Sequence, residues 1–300
     1  MDYDQAAQRL QGPLSAIFTP FDERMEVDLD RLNAIAEFQL SQGIEGFFVT
    51  GSTGEGLLLS EDERLRVNQH LCEQFGDRAT IISHVGHPST EVAARLASGC
   101  AMLGADWIAS VAPIYHGTTR EGALRHYRQI AAASDLPFMV YSLGGQIDPQ
   151  LDRVFFDLPQ VCGLKYTGSN FYSVQQLANV VDRPVAWMSG FDEQFVAALS
   201  MGFQGGIGST FNFAPQFYAG IFRAFRAGDI AEASRLQAQV NRVTELMVRY
   251  ENWSYRKAIM RFIGLDCGAC RPPYAPLSEV EYGEFAQKLE ALDILPGVAS

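Results

Sequence analysis

The chain is short of lysine. Of its 23 basic side chains 20 are arginine, and Lys165 is the only lysine among the first 256 residues. A lone lysine in a chain that otherwise uses arginine marks a place where an amine is wanted. Burial can neutralise an amine into a Schiff-base nucleophile, which a guanidinium cannot become. Long apolar runs are also missing, so no segment reads as a membrane-spanning helix. Residues 1–12 carry Asp2, Asp4 and Arg9 with no apolar stretch behind a basic start, and no secretory signal is expected. Positive charge is in deficit. A net charge of -12 argues against a nucleic-acid-binding surface and gives no long-range help to an anionic substrate, so an anion site must be built locally. Five cysteines, odd in number and scattered, make no disulfide framework and lead us to expect a reducing cytoplasm. Cys267-Gly-Ala-Cys270 has the spacing of half a zinc or redox motif, but with no second pair or nearby histidine it reads as incidental thiols.

What the chain does have is enough apolar residue, 47% against 19% charged, to bury a sizeable core. Short apolar runs alternate with amphipathic stretches as far as residue 227, the pattern of parallel β and α units. The sequence predicts eight strands, at 14–19, 46–50, 80–85, 107–112, 137–141, 162–166, 185–189 and 206–209. Between them it predicts helices such as 30–42, 60–75, 90–103, 120–133, 171–181 and 194–201, with Ser60 and Glu63 forming a capping box. Eight such units in about 220 residues match a (β/α)8 TIM barrel, whereas a doubly wound sheet more often stops at five or six strands. Residues 1–228 are therefore expected to form the barrel. Residues 229–300, with helical runs at 230–249, 255–262 and 279–292, are expected to form a C-terminal α-helical extension packed on it.

In a barrel of this kind chemistry belongs at the C-terminal ends of the strands. Lys165 lies in the apolar run 161–167, where the alternative to a nucleophile is a lysine that snorkels from a strand end. Gly51-Ser52-Thr53-Gly54-Glu55 lacks the lysine of a phosphate loop and reads as a carboxylate cradle built from the amides and hydroxyls of Ser52 and Thr53, or else as a plain turn and cap. Tyr141 ends the fifth strand, where it is either a packed aromatic with a satisfied hydroxyl or, next to an amine nucleophile, a proton carrier whose relay Tyr115 and Thr53 could extend. Asp192 and Glu193 open the helix after the seventh strand, where they suit either the helix dipole or the hydroxyls of a sugar. Gly205-Gly206-Ile207-Gly208-Ser209 stands where many barrels hold a phosphate, but the neighbouring carboxylates argue against one. His84 and His87 point to opposite faces if both lie on a strand, and read as packed or solvated residues, not metal ligands.

Taken together, Gly51 to Glu55, Tyr141, Gly163-Leu-Lys-Tyr-Thr167, Gly190-Phe-Asp-Glu193 and Gly205-Gly-Ile-Gly-Ser-Thr-Phe-Asn212 resemble the dihydrodipicolinate synthase family, and within it the N-acetylneuraminate lyase branch. The resemblance covers nearly the whole chain, including Phe18-Thr-Pro-Phe21 and the helical tail. It departs in three places. Tyr141-Ser-Leu-Gly144 replaces the family's Tyr-Asn-Ile-Pro, Gln146 stands where the synthase branch has an arginine, and His116 replaces a second tyrosine after Tyr115.

The resemblance implies a class I aldolase acting on a 2-keto acid, N-acetylneuraminate first among the substrates, through a covalent lysine imine and with no metal or other cofactor. It assigns Lys165 as nucleophile, with Tyr141, Thr53 and Tyr115 in the proton relay, and Ser52 and Thr53 on the carboxylate. Thr167, Gly190, Asp192, Glu193, Gly208 and Ser209 match positions that hold the polyol arm, and Tyr255 is expected to line the same pocket. It also implies a homotetramer, a dimer of dimers, with Tyr115 supplied across a dimer contact. The alternatives are an aldolase or dehydratase for another 2-keto-3-deoxy sugar acid, the 4-hydroxy-tetrahydrodipicolinate synthase activity that the loss of arginine at 146 disfavours, and a binding or regulatory protein without turnover.

Overall fold

A computed structural model describes residues 2–114 and 117–295. Eight parallel strands close into a barrel in chain order: β1 Gly12–Ala16, β2 Gly46–Val49, β3 Thr80–His84, β4 Trp107–Val111, β5 Phe138–Leu143, β6 Val161–Thr167, β7 Ala186–Ser189 and β8 Gly205–Gly208. Every strand expected from the apolar runs is present, seven of them within two residues at either end, while β1 stops at Ala16, three residues short of the expected end. The helices are α1 Tyr3–Arg9, α2 Leu29–Ser41, α3 Glu61–Phe75, α4 Thr90–Met102, α5 Arg120–Ala131, α6 Pro149–Asp152, α7 Phe171–Ala178, α8 Phe195–Ser200, α9 Pro215–Arg226, α10 Ile230–Val248, α11 Ser254–Phe262 and α12 Glu279–Glu290. Their starts follow local chemistry. Ser60 accepts the Glu63 amide while Glu63 reaches back to the Ser60 amide, and Ser278 with Glu281 repeats the box on α12.

The barrel interior is filled with side chains. Leu14, Phe48, Ile82, Trp107, Ala109, Met139, Met188 and Ile207 form its core, and α1, which composition did not announce, closes one end with Ala7 and Leu10. Closure between β8 and β1 needs a bare backbone, because a Cβ on Gly205 would lie 2.1 Å from the Gly12 carbonyl oxygen. Outside the barrel, one apolar layer runs without a break from Phe47 and Ile81 to Val240, Ile259 and Phe285, so barrel and extension share a core.

The extension also grips the barrel through charge. Lys257 on α11 and Glu55 at the end of the second-strand loop pair at 2.8 Å with their side chains 2% and 1% exposed. Lys257 donates further to the carbonyls of Thr19 and Ala269, and Glu55 accepts the Arg271 amide. Removing one member of such a pair strands the other in low dielectric. Lys257→Met is therefore expected to lower the unfolding free energy by about 3–5 kcal/mol, measured by urea denaturation, while Lys288→Met, on the exposed face of α12, leaves the midpoint where it was.

Candidate active site

Lys165 faces Tyr141 directly across the β5–β6 pairing. That opposition depends on a bulge. Phe138 pairs with Val161, but Met139 pairs with Gly163, so Cys162 is passed over. Cys162 and Gly163 both front the interior, and alternation beyond them turns Leu164 and Tyr166 to the outer layer and Lys165 inward.

The Lys165 amine lies 4.1 Å above the Phe48 ring centroid and 4.5 Å above that of Tyr141, and finds no hydrogen-bond partner among the described residues. Burial lowers its pKa to about 7, against an upward pull from the Asp192 charge. Near neutrality much of it is therefore the free amine, the nucleophilic form. Burial raises the Tyr141 phenol, with the nearby hydroxyls of Thr167 and Ser52 pulling it back, so Tyr141 rests protonated. Gly190 completes this wall by having no side chain: a Cβ there would stand 2.0 Å from Thr167 Oγ1 and 3.3 Å from Lys165 Cε. Thr167 Oγ1 is itself buried without a well-formed hydrogen bond among the described residues, which leaves it free to bond a ligand hydroxyl.

The cradle loop follows β2. It is framed by two residues in the left-handed region, Thr50 at φ 52° and Glu55 at φ 54°, and a β-branched threonine adopts that conformation only under constraint. The amides of Ser52 and Thr53 donate to no acceptor among the described residues, and the Ser52 hydroxyl reaches the neighbourhood of Tyr141. Glu55, the acid of the motif, is turned away to Lys257.

Across the mouth, Asp192 is buried and held by the Thr210 amide at 2.8 Å, the Thr210 hydroxyl at 2.7 Å and the Ser209 hydroxyl at 3.3 Å. Burial raises its pKa to about 6 in spite of those bonds. A Cβ on Gly208 would fall 2.3 Å from Asp192 Oδ1, so glycine there is a condition of the carboxylate's placement. Glu193 is half-buried. The backbone carbonyls of Asp192 and Glu193 accept from Gln237 and Asn241, so α10 positions both acids.

Lys165, Tyr141, Thr167, Gly190 and Ser52 are thus brought together, with Asp192, Gly208 and Ser209 grouped beside them, while Thr53 lies buried in the loop next to Ser52. Tyr255 stacks on Tyr250 at 4.0 Å and meets Phe285 edge-on within the extension, and no contact among the described residues ties it to Lys165. Tyr115 lies outside the described residues. His87 is beyond the end of β3, where its Nδ1 accepts the Ser89 amide, so the strand alternation used to separate it from His84 does not reach it. Among the described residues no three histidine, cysteine or acidic side chains gather as a metal-binding cluster.

Two residues of the chamber escaped the sequence reading. Phe48 is adjacent to Phe47 in a strand buried on both faces, and nothing in the pattern says which of the two turns inward. His84, read as a packed residue, is buried against Phe48 and Tyr141 with ring centroids 5.6 and 6.0 Å away.

The desolvated amine makes two signed predictions. Competitive acylation should label Lys165 with a midpoint near pH 7, while the exposed Lys288, raised by its bond to Tyr250, titrates above its ordinary value. In the unfolded chain the same amine titrates near its ordinary value, so its folded-state penalty is complete below about pH 7 and fades as pH rises towards 10.5. Lys165→Met should therefore be more stable than the parent at pH 6, on the order of a few kcal/mol, with the difference shrinking in denaturation curves taken at higher pH.

Comparison with known proteins agrees with this geometry. The model of the dihydrodipicolinate synthetase family matches residues 9–292. The chain is 35% identical to the N-acetylneuraminate lyase of Salmonella paratyphi B (strain ATCC BAA-1250 / SPB7) over 279 residues, 91% of this chain and 94% of that one. Its structure matches the Proteus mirabilis N-acetylneuraminate lyase with a TM-score of 0.89 at 25% identity, covering 95% of this chain and 99% of the other. The Mycoplasma synoviae N-acetylneuraminate lyase matches with a TM-score of 0.87 at 26% identity, over 95% and 98% of the two chains. A strand-end lysine held dry in a closed (β/α)8 barrel, and relatives that match along nearly its whole length, place this chain in the dihydrodipicolinate synthetase family.

Proposed function

We propose that the protein is a class I aldolase that cleaves N-acetylneuraminate to N-acetylmannosamine and pyruvate. The observation that carries this reading is the Lys165 amine, lowered to about 7 by burial and set directly opposite the Tyr141 phenol. The neutral amine attacks the C2 ketone of the open-chain sugar acid, and loss of water gives an iminium. As the C3–C4 bond breaks, its electron pair moves into the iminium and the C4 hydroxyl becomes the aldehyde carbonyl. Tyr141, which rests protonated, takes the hydroxyl proton only by passing its own along, so it acts as a relay with Thr53 and, across a dimer contact, Tyr115. The enamine takes a proton at C3, and hydrolysis releases pyruvate and restores the amine. Ser52 and Thr53 hold the carboxylate through neutral donors, which suits a protein of net charge -12. Thr167, Gly190, Asp192, Glu193, Gly208 and Ser209 receive the polyol arm.

The names of the relatives support the sialic acid as substrate. A shorter 2-keto-3-deoxy sugar acid is the second reading, favoured by one observation. At Ser142 to Gln146, directly after Tyr141, the chain departs from the family's Tyr-Asn-Ile-Pro pattern, where the loop would border the variable part of the substrate. Gln146, where the synthase branch has an arginine, speaks against the synthase activity's amino-acid carboxylate. A homotetramer and a cytoplasmic location complete the proposal, the latter in keeping with five free thiols and with no described helix long and apolar enough to cross a membrane.

Incubation with pyruvate followed by borohydride should leave a stable adduct on Lys165, found by peptide mass spectrometry, and none in Lys165→Arg. No adduct on the parent would remove the aldolase reading. Given the adduct, condensation of pyruvate with a panel of aldehydes should favour N-acetylmannosamine; preference for a shorter aldehyde would select the second reading.

A further inference from the structure

His84 ends β3 with its side chain buried beside the two rings that carry the Lys165 amine. Its two nitrogens differ in surroundings. Nδ1 lies 3.3 Å from the Thr50 carbonyl oxygen, which can only accept, so Nδ1 carries the hydrogen and Nε2 keeps a lone pair. Nε2 is buried and has no partner among the described residues. Gly86 leaves room at that atom, since a Cβ there would sit 2.7 Å from Nε2. The charged groups acting on the ring are Arg64 behind it and Lys165 beside it. With burial they push the imidazole down to about 3, so it stays neutral wherever the enzyme works.

The rest of His84 is tied down from α3. Its carbonyl accepts from Arg64 Nη2 and, at 3.2 Å, from the Thr50 hydroxyl; Arg64 Nη1 holds the Gly86 carbonyl at 3.2 Å. Asn68 links this group to the Arg64 carbonyl at 2.8 Å and to Ser83 at 2.5 Å. All these side chains are buried. A network so anchored is what can keep Thr50, at φ 52°, in its strained conformation at the root of the cradle.

We propose that His84 serves the reaction with both nitrogens. Nδ1–H holds the Thr50 carbonyl and with it the Ser52–Thr53 cradle, while Nε2 accepts a hydrogen bond from the carbinolamine hydroxyl on the Lys165-bound carbon and from the water which that oxygen becomes. The inference rests on the aldolase reading above. Nothing is oxidised in this step. The C–O bond of the carbinolamine breaks as the C=N bond forms, the departing oxygen takes its proton through the Tyr141 relay, and His84 neither gains nor loses one. Fixing the departing water also keeps it at hand for the hydrolysis that ends the cycle.

The two roles separate by substitution in the full-length protein. His84→Asn keeps a donor near the Nδ1 position and removes Nε2; His84→Gln puts a polar group near Nε2 and removes the Nδ1 donor. The readout is exchange of the pyruvate methyl hydrogens for deuterium, followed by proton NMR over a range of pyruvate concentrations, which needs the imine and its enamine but no aldehyde. His84→Asn should lower the saturating exchange rate about tenfold with half-saturation nearly unchanged, and His84→Gln should raise half-saturation about tenfold with the smaller loss in rate. Parent-like values in both variants, or equal losses of both parameters in both, would overturn the proposal. If either variant fails to fold in circular dichroism and melting controls, the split measured in the other against the parent decides. Absence of the borohydride adduct on parental Lys165 sinks the aldolase reading and this proposal with it, whereas an adduct with unchanged exchange in the variants sinks this proposal alone.

Discussion

Keeping one amine dry is the constraint on which the rest of this site depends. Water would hold the Lys165 ammonium near its ordinary pKa, and only exclusion of water lets half of it stand neutral at about 7. The exclusion is done by ring faces. Phe48 and Tyr141 lie beneath the nitrogen, offering enough attraction to retain it and too little to stabilise the full charge. Asp192 opposes the shift from a distance, but its own charge is restrained by burial, which lifts it to about 6. A carboxylate bonded directly to Lys165 would have undone the arrangement, and none of the described residues supplies one.

Such a centre is costly, and the surrounding structure offsets that cost with rigid supports that lie outside the chamber. Arg64, Asn68 and Ser83 fix the β3 end and Thr50; Gln237 and Asn241 fix the backbone of Asp192 and Glu193; the Lys257–Glu55 pair and the Arg271 amide hold the cradle loop from the far side. Half of these supports come from the helical extension. The extension is therefore part of what shapes the site, and its shared apolar layer with the barrel gives it the rigidity to do so.

Much of this was legible in the chain. Strand positions could be read because parallel barrel strands are buried on both faces and leave continuous apolar runs between capped helices. The strand-end motifs could be read because the fold puts the ends of the strands at one rim, so residues far apart in sequence must converge. Where both faces of a strand are apolar the reading failed, as at Phe47 and Phe48. It failed also at His87, where the strand ends three residues earlier than alternation assumed.

By itself, the sequence determined the eightfold alternation, the rim motifs and the presence of a single lysine among them, because these follow from local patterning and from residue type. Only the tertiary structure decided which way that lysine points. Strict alternation from the inward Cys162 would have turned Leu164 in and Lys165 out; the bulge at Gly163 reverses the parity and brings the amine against Tyr141. The reason is physical. Side-chain direction in a strand is set by register with the neighbouring strand, and register is a property of the closed barrel that no single strand contains.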